Sequence, residues 1–257
     1  RLSKFDLSDT RMMMFRSLLF VIWMYGLMAV LGILFLPALL LPKSVAFWAI
    51  SIYARGLIFG LRVICGIEVE IRGRQHMPRG TMLYAGKHNC MLDVFVPFLV
   101  MPAPAIILKQ ELLWYPFLGW YALKTAMIPI DRAGNTRTLK KMVATAKVRA
   151  EDGRQIVIFP EGTRTEPGAA PAYHAAGISG LAKAIEAPIV PVATNAGLCW
   201  PGRGLKRNKG RIVYEILPPI PAGLPRRELM ARLQADLETA SDALVDEGRD
   251  VQKYLAS

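Results

Sequence analysis

The chain has 257 residues, of which 53% are hydrophobic, and a formal net charge of +12 from 32 Lys+Arg against 20 Asp+Glu. That length excludes a small stapled module and allows one sizeable α/β domain with an added element. A mean hydropathy of +0.30 is high for a purely soluble protein, and the charge favours anionic partners: lipid headgroups, phosphorylated substrates or nucleic acid.

From the N-terminal end, residues Ser17 to Pro42 carry no charged side chain. A run that long is a membrane-helix candidate, because a buried core helix is seldom apolar on every side for such a length. No small-residue cleavage site with a polar stretch after it marks a secretory signal peptide. A second apolar stretch, Ser44 to Ala54 and on to Ile67, is interrupted by Arg55 and Arg62, whose spacing puts them on one helical face. Pro37, Pro42 and Lys43 supply the turn between the two helices. Arg11 and Arg16 precede the first helix, and Arg55 and Arg62 follow the turn. Basic residues at both ends fit a hairpin whose ends share the cytoplasmic side, and they fit equally a re-entrant pair that never crosses. Residues 1–66 are therefore expected to anchor the chain, and residues 67–257 to form a second domain on the cytoplasmic side.

After Gly66 the pattern changes to short β-branched runs alternating with helical stretches. Strands are predicted at Ile67 to Ile71, Met82 to Ala85, Ala105 to Leu108, Met127 to Ile130, Gln155 to Phe159, Ile189 to Ala193 and Arg211 to Ile216. Helices are predicted at Leu92 to Leu99, Thr136 to Ala150, Ala175 to Ala184 and Arg226 to Glu247, the last with Leu229, Leu233, Leu237 and Leu244 on one face. This alternation predicts an α/β fold, a mainly parallel sheet of about seven strands flanked by helices, with ligands bound beyond the carboxyl ends of the strands. Pro191 inside its run predicts a bend or bulge there. Cys65, Cys90 and Cys199 form neither a CxxC pair nor a metal-ligand set, which reads as reduced thiols in a cytosolic setting.

The polar residues of interest fall at predicted strand ends. His88 follows LYAGK, and Asp93 closes HNCMLD. Five residues along a regular helix is about 500° of rotation, so the two meet only if His88 sits in the turn and Asp93 in the first helical turn. Asp93 would then accept the Nδ1 proton of His88 and leave Nε2 free to take a proton from a hydroxyl. A chance pair remains the alternative at this spacing. In FPEGTR, Phe159 to Arg164, Pro160 and Gly162 make a tight turn, and Arg164 offers a donor fork matched to phosphate. Lys109 ends one strand and Arg132 follows another, with the aromatics Trp114, Tyr115, Phe117, Trp120 and Tyr121 between them. Those aromatics suit a core cluster, an acyl-chain wall or an interfacial belt. The basic stretch Arg203, Lys206, Arg207, Lys209 and Arg211 suits a solvated loop, a lipid surface or an acidic carrier protein. His76 and His174 read as structural or surface residues, and Cys90 lacks a second base that would make it a nucleophile. No nucleic-acid recognition element stands out beside the apolar hairpin.

Taken together, these blocks resemble the glycerolipid acyltransferase family typified by bacterial 1-acyl-sn-glycerol-3-phosphate acyltransferases. The resemblance covers Ile67 to about Leu217 and rests on His88 to Asp93, on Met127 to Arg132 preceded by Lys109, Glu111, Leu112, Pro116 and Gly119, on Phe159 to Arg164, and on Val190 to Val192. It implies a catalytic dyad of His88 and Asp93, and acceptor binding by Lys109, Arg132, Glu161, Gly162, Thr163 and Arg164. It also implies an acyl-CoA or acyl-carrier-protein donor, with no bound cofactor and no metal. The expected reaction moves a fatty acyl group onto the sn-2 hydroxyl of a lysophospholipid, 1-acyl-sn-glycerol-3-phosphate. Lyso-ornithine lipid or glycerol-3-phosphate is the alternative acceptor, and a non-catalytic, membrane-tethered phosphate binder the alternative of another class. One departure is that the family usually has Asn where this chain has Lys87, a cation expected to replace a hydrogen bond or to add a phosphate contact.

Overall fold

The computed structural model describes residues 4–131, 136–169 and 172–256. The N-terminal quarter is a helical hairpin. Helix α1 (Lys4–Leu34) leads through a 3-10 turn at Leu36–Leu39 into α2 (Lys43–Gly60). Pro37 lies in that turn and Pro42 caps α2, as the prolines of the run predict. After α2 a single π turn at Leu61–Cys65 ends on Gly66 in the left-handed conformation. The helices run antiparallel: Trp23 Nε1 donates to the Gly56 carbonyl at 3.0 Å and the Tyr53 hydroxyl to the Met24 carbonyl at 3.3 Å. Glycine is needed at residue 60, where a Cβ would run into the Trp23 ring.

The remainder is a seven-stranded sheet with its connecting helices: β1 (Ile67–Arg72), β2 (Leu83–Gly86), α3 (Pro97–Val100), β3 (Pro104–Lys109), α4 (Leu118–Lys124), β4 (Ile128–Ile130), α5 (Thr136–Glu151), β5 (Gln155–Ile158), α6 (Ala175–Ile185), β6 (Ile189–Thr194), α7 (Ala196–Cys199), β7 (Gly210–Ile216) and α8 (Arg226–Ala256). The strand order is β1-β7-β6-β2-β5-β3-β4, and every pair is parallel except β6–β7. The helix expected over Leu92 to Leu99 is instead a 3-10 turn at Met91–Val94 followed by α3, with Pro97, which has no N–H to donate, opening the second piece.

Pro191 does produce a bulge. Along the β6–β7 edge, Val192 pairs with Ile216 and Ile189 with Ile220, so two residues on β6 face three on the other side. Pro191 accepts from the Leu217 N–H at 3.0 Å. Pro191 has no N–H to return that bond, and the extra residue lies on the other side, among Leu217, Pro218 and Pro219.

Strand alternation divides the core into two layers. On one face Tyr84, Val157, Val190, Ile212 and Tyr214 pack with Phe20, Met24, Tyr53, Leu57 and Leu61 of the hairpin. On the other face Leu83, Ala85, Ile156, Ile158 and Ile189 meet α5, α6 and α8 through Met142, Ala146, Ile178, Leu181, Leu233 and Leu237. The hairpin thus covers a face of the sheet, and the position after residue 66 does not divide the core.

Candidate active site

The two-residue period that sorts the core continues past the end of β2. Tyr84 lies in the hairpin-side layer and Leu83 and Ala85 in the other. His88 lines a cavity on the hairpin side, whereas Lys87 reaches Glu238 on α8. Neighbours in sequence thereby serve opposite sides of the sheet.

His88 stacks on Phe159, with ring centroids 4.5 Å apart. Its Nδ1 lies 3.0 Å from Asp93 Oδ2. The same carboxylate oxygen accepts the N–H groups of Asn89 at 2.6 Å and Cys90 at 2.7 Å, and Oδ1 accepts the Tyr214 hydroxyl at 2.7 Å and the Cys90 thiol at 3.5 Å. The 3-10 turn after Cys90 makes this possible, because Asp93 is its third residue and its side chain reaches back to the backbone of the turn that carries His88. Donors converge on both oxygens of this carboxylate. It can therefore hold a proton on Nδ1 of His88 and leave Nε2 as the basic nitrogen. Burial pushes the Cys90 thiol far up, and the charge of Asp93 adds to that, so no thiolate nucleophile is available beside the histidine.

The FPEGTR turn docks on the same loop. The Thr165 N–H donates to the His88 carbonyl at 2.8 Å, Asn89 Nδ2 to the Thr165 carbonyl at 3.0 Å, and the His88 N–H to Glu161 Oε2 at 2.8 Å. Gly162 has φ +65°, and a Cβ there would strike the His174 ring at 2.5 Å, so glycine is required by both conformation and space. Thr163 and Arg164 line the cavity, and Arg164 Nη1 is steadied by the Gly202 carbonyl at 3.2 Å.

That cavity has a volume of about 810 Å³, in the range of small-molecule sites. Its polar lining includes His88, Lys109, Thr163, Arg164, Glu166 and Arg203. Its apolar lining comes from the hairpin and the sheet domain and includes Met28, Leu31, Phe35, Tyr53, Phe98, Phe117 and Tyr121. One cavity thus combines an imidazole, three cations and a carboxylate with a larger set of apolar walls.

The candidate residues divide accordingly. His88 and Asp93 are brought together, and Lys109, Thr163 and Arg164 share the cavity wall. Glu161 and Gly162 are not on that wall: the Glu161 carboxylate is buried and turned toward Lys87 and the His88 N–H, and Gly162 packs under His174. Arg132 lies outside the described residues. Lys87 does not make the expected phosphate contact, because it is buried on the opposite side of the sheet from the cavity. Sequence reasoning missed Tyr214 as a partner of Asp93, Glu238 as a partner of Lys87, and Arg203 as a wall of the same cavity. Alternation along β2 was a usable signal for Lys87; the other two contacts come from distant segments with no local signature.

Comparison with known proteins agrees with this geometry. Residues 68–195 match the Acyltransferase family model. A 1-acyl-sn-glycerol-3-phosphate acyltransferase of Pseudomonas aeruginosa is 31% identical over 209 residues, covering 80% of this chain and 81% of its own. The human 1-acyl-sn-glycerol-3-phosphate acyltransferase alpha is 27% identical over 208 residues, 78% of this chain and 73% of its own. A solved structure of a 1-acyl-sn-glycerophosphate acyltransferase from Thermotoga maritima shares the fold, with a TM-score of 0.72 at 19% identity over 90% of this chain and 97% of that one.

Proposed function

The chain belongs to the 1-acyl-sn-glycerol-3-phosphate acyltransferase family, and from that premise we propose that it transfers a fatty acyl group from an acyl thioester to the sn-2 hydroxyl of lysophosphatidic acid, giving phosphatidic acid. The observation that carries this reading is one cavity lined by His88, Lys109, Arg164 and Arg203 and by a larger set of apolar side chains. A phosphate with a fatty chain needs both kinds of lining. A non-catalytic phosphate binder would need neither the ringed Asp93 nor the imidazole it holds.

In this mechanism the lysolipid phosphate sits on Lys109 and Arg164, with Thr163 beside them and Arg132 as a further candidate. His88 Nε2 removes the proton from the sn-2 hydroxyl as the oxygen attacks the thioester carbonyl carbon. The tetrahedral adduct collapses, the carbon–sulfur bond breaks, and the imidazolium returns its proton to the departing thiolate. Asp93 holds the tautomer beforehand and balances the imidazolium during attack. The thioester is supplied by acyl-CoA or acyl-carrier protein.

The hairpin attaches the protein to an inner membrane, with the sheet on the cytoplasmic side. Two helical stretches, Thr10–Leu34 and Lys43–Cys65, are long and apolar enough to cross a bilayer, and Phe15, Ile22, Val30, Ile33, Trp48 and Phe59 are exposed on them. Of the two arrangements that the charges allow, contacts along the hairpin favour the re-entrant one. Near its start Phe20 meets Trp200, and at its tip the Tyr121 hydroxyl donates to the Phe35 carbonyl at 2.6 Å. A hairpin held against the domain at both ends dips into the facing leaflet and does not cross. Exposed Trp114 and Tyr115, near that tip, extend the lipid-facing surface.

The test is acyl transfer by the full chain in detergent micelles, with lysophosphatidic acid, glycerol-3-phosphate and lyso-ornithine lipid as acceptors and acyl-CoA or acyl-carrier protein as donor. Lysophosphatidic acid should be the preferred acceptor. Thioester cleavage without ester formation, or a preference for another acceptor, would overturn the assignment.

A further inference from the structure

We propose that Lys87 is a positioning residue for the reaction: clasped between Glu161 and Glu238, its ammonium keeps Glu161 ionised as the acceptor that fixes the backbone of His88. Lys87 Nζ lies 2.7 Å from Glu161 Oε1, 2.9 Å from Glu238 Oε1 and 3.1 Å from Glu238 Oε2. The Lys87 side chain is 5% exposed, that of Glu161 0% and that of Glu238 24%. One cation thus ties together the end of β2, the FPEGTR turn and α8.

The two carboxylates are not equivalent. Glu238 touches solvent and also accepts the Tyr173 hydroxyl at 2.5 Å, so it keeps partners without Lys87. Glu161 has no such recourse. Its Oε2 holds the His88 N–H, and its buried Oε1 faces the Lys87 ammonium at 2.7 Å. Burial pushes the Glu161 carboxyl above the ordinary carboxylate range, and the charge and hydrogen bond of Lys87 pull it back, helped by the His88 N–H and Thr165. The other ionisable groups facing it are Tyr173, beside Glu238, and His174, whose ring covers Gly162. Without Lys87 the buried charge would be stranded, and the Glu161 carboxyl would be pushed further up, toward its protonated form. A neutral carboxyl is a weaker acceptor, so the His88 N–H would lose its charge-assisted anchor. The imidazole is fixed at its ring end by Asp93 and at its backbone end by Glu161, and Lys87 governs the second of these.

This inference rests on the reading of His88 as the base, and the experiment separates the two. Rates of acyl transfer to lysophosphatidic acid are measured against pH for wild type, K87M, K87M/E161Q and H88A. K87M should lose roughly tenfold or more in kcat at neutral pH, the scale of a misplaced proton-transfer group, with KM little changed. Its activity should recover as pH rises, so its acid limb is displaced upward. In K87M/E161Q, with residue 161 no longer able to titrate, the limb should return to the wild-type position. An unmoved limb in K87M, a displaced limb in the double variant, or a rise in KM at constant kcat would overturn the role. Should K87M be too unstable to assay, thermal unfolding decides: the double variant should unfold at a higher temperature than K87M, and a lower one would overturn it. Retained transfer by H88A would sink the base assignment, wherever the limb of K87M falls.

Discussion

Replacing Asp93 by Asn tests how the dyad works, and the surroundings of Asp93 decide what the amide would do. An Asn side chain has one oxygen and one NH2 group to place where two oxygens were. Three donors converge on Oδ2, from His88 Nδ1, Asn89 N and Cys90 N. An NH2 group placed there would face all three. On the Oδ1 side the Tyr214 hydroxyl can rotate and accept. The amide oxygen should therefore take the Oδ2 position, and His88 should keep its proton on Nδ1. What is lost is the negative charge beside the imidazolium that forms during attack. Unit charges about 4 Å apart at an effective dielectric near 20 interact by about 4 kcal/mol, and the amide dipole restores part of that. A net loss of about 3–4 kcal/mol in the transition state corresponds to roughly 10²–10³ in kcat. An inverted tautomer in a comparable triad costs about 10⁴. Single-turnover acyl transfer gives the rate, and nitrogen chemical shifts of the His88 ring give the tautomer. A loss near 10⁴ with the proton found on Nε2 would refute the reasoning, and so would a D93N protein of wild-type rate.

Removing the imidazole by His88→Ala should cost about 10²–10⁴ in rate, whereas Cys90→Ser should leave most activity, because the buried thiol has no route to a thiolate; trapping of an acyl thioester on Cys90 would reverse that assignment. Arg164→Ala should lower kcat/KM for lysophosphatidic acid by roughly 10–100-fold, the worth of one hydrogen bond between charged groups at about 1.5–3 kcal/mol, and hardly affect an acceptor that lacks phosphate; equal kinetics on lysophosphatidic acid before and after the change would refute it. Gly32→Ala should destabilise the protein by about 1–3 kcal/mol, because the new Cβ meets the Phe117 ring where α1 seals the cavity; denaturant unfolding in detergent measures it.

Much of this architecture was legible in the residues. Strand ends were found closely because most of the β-branched runs are bounded by Gly, Pro or a charged residue, and the irregularity opposite Pro191 followed from a missing N–H. The spacing of His88 and Asp93 alone left a chance pair open, and the resemblance to the acyltransferase family, carried by four blocks in order, is what singled them out. Direction was harder. Glu161 beside Gly162 in a turn reads as exposed, and its burial becomes visible only once Lys87 is known to point the same way. Tyr214 and Glu238 lie on β7 and α8, so their contacts depend on crossovers that no local pattern encodes. The hairpin was recognised by its apolarity, but nothing in that apolarity distinguishes side chains meant for lipid from those meant for the sheet.

The layer shared by hairpin and sheet bears on how the protein is made. Phe20, Tyr53, Leu57 and Leu61 are the cover over Tyr84, Val190, Ile212 and Tyr214. These helices leave the ribosome before any strand does, and they partition early toward lipid. The strands that follow must then assemble against a template already held in the bilayer. A version trimmed for solubility would emerge with one side of its sheet uncovered and a ready path to aggregation. For this chain the membrane is the nursery of the fold, and expression trials that remove the hairpin should yield inclusion bodies in place of a free enzyme.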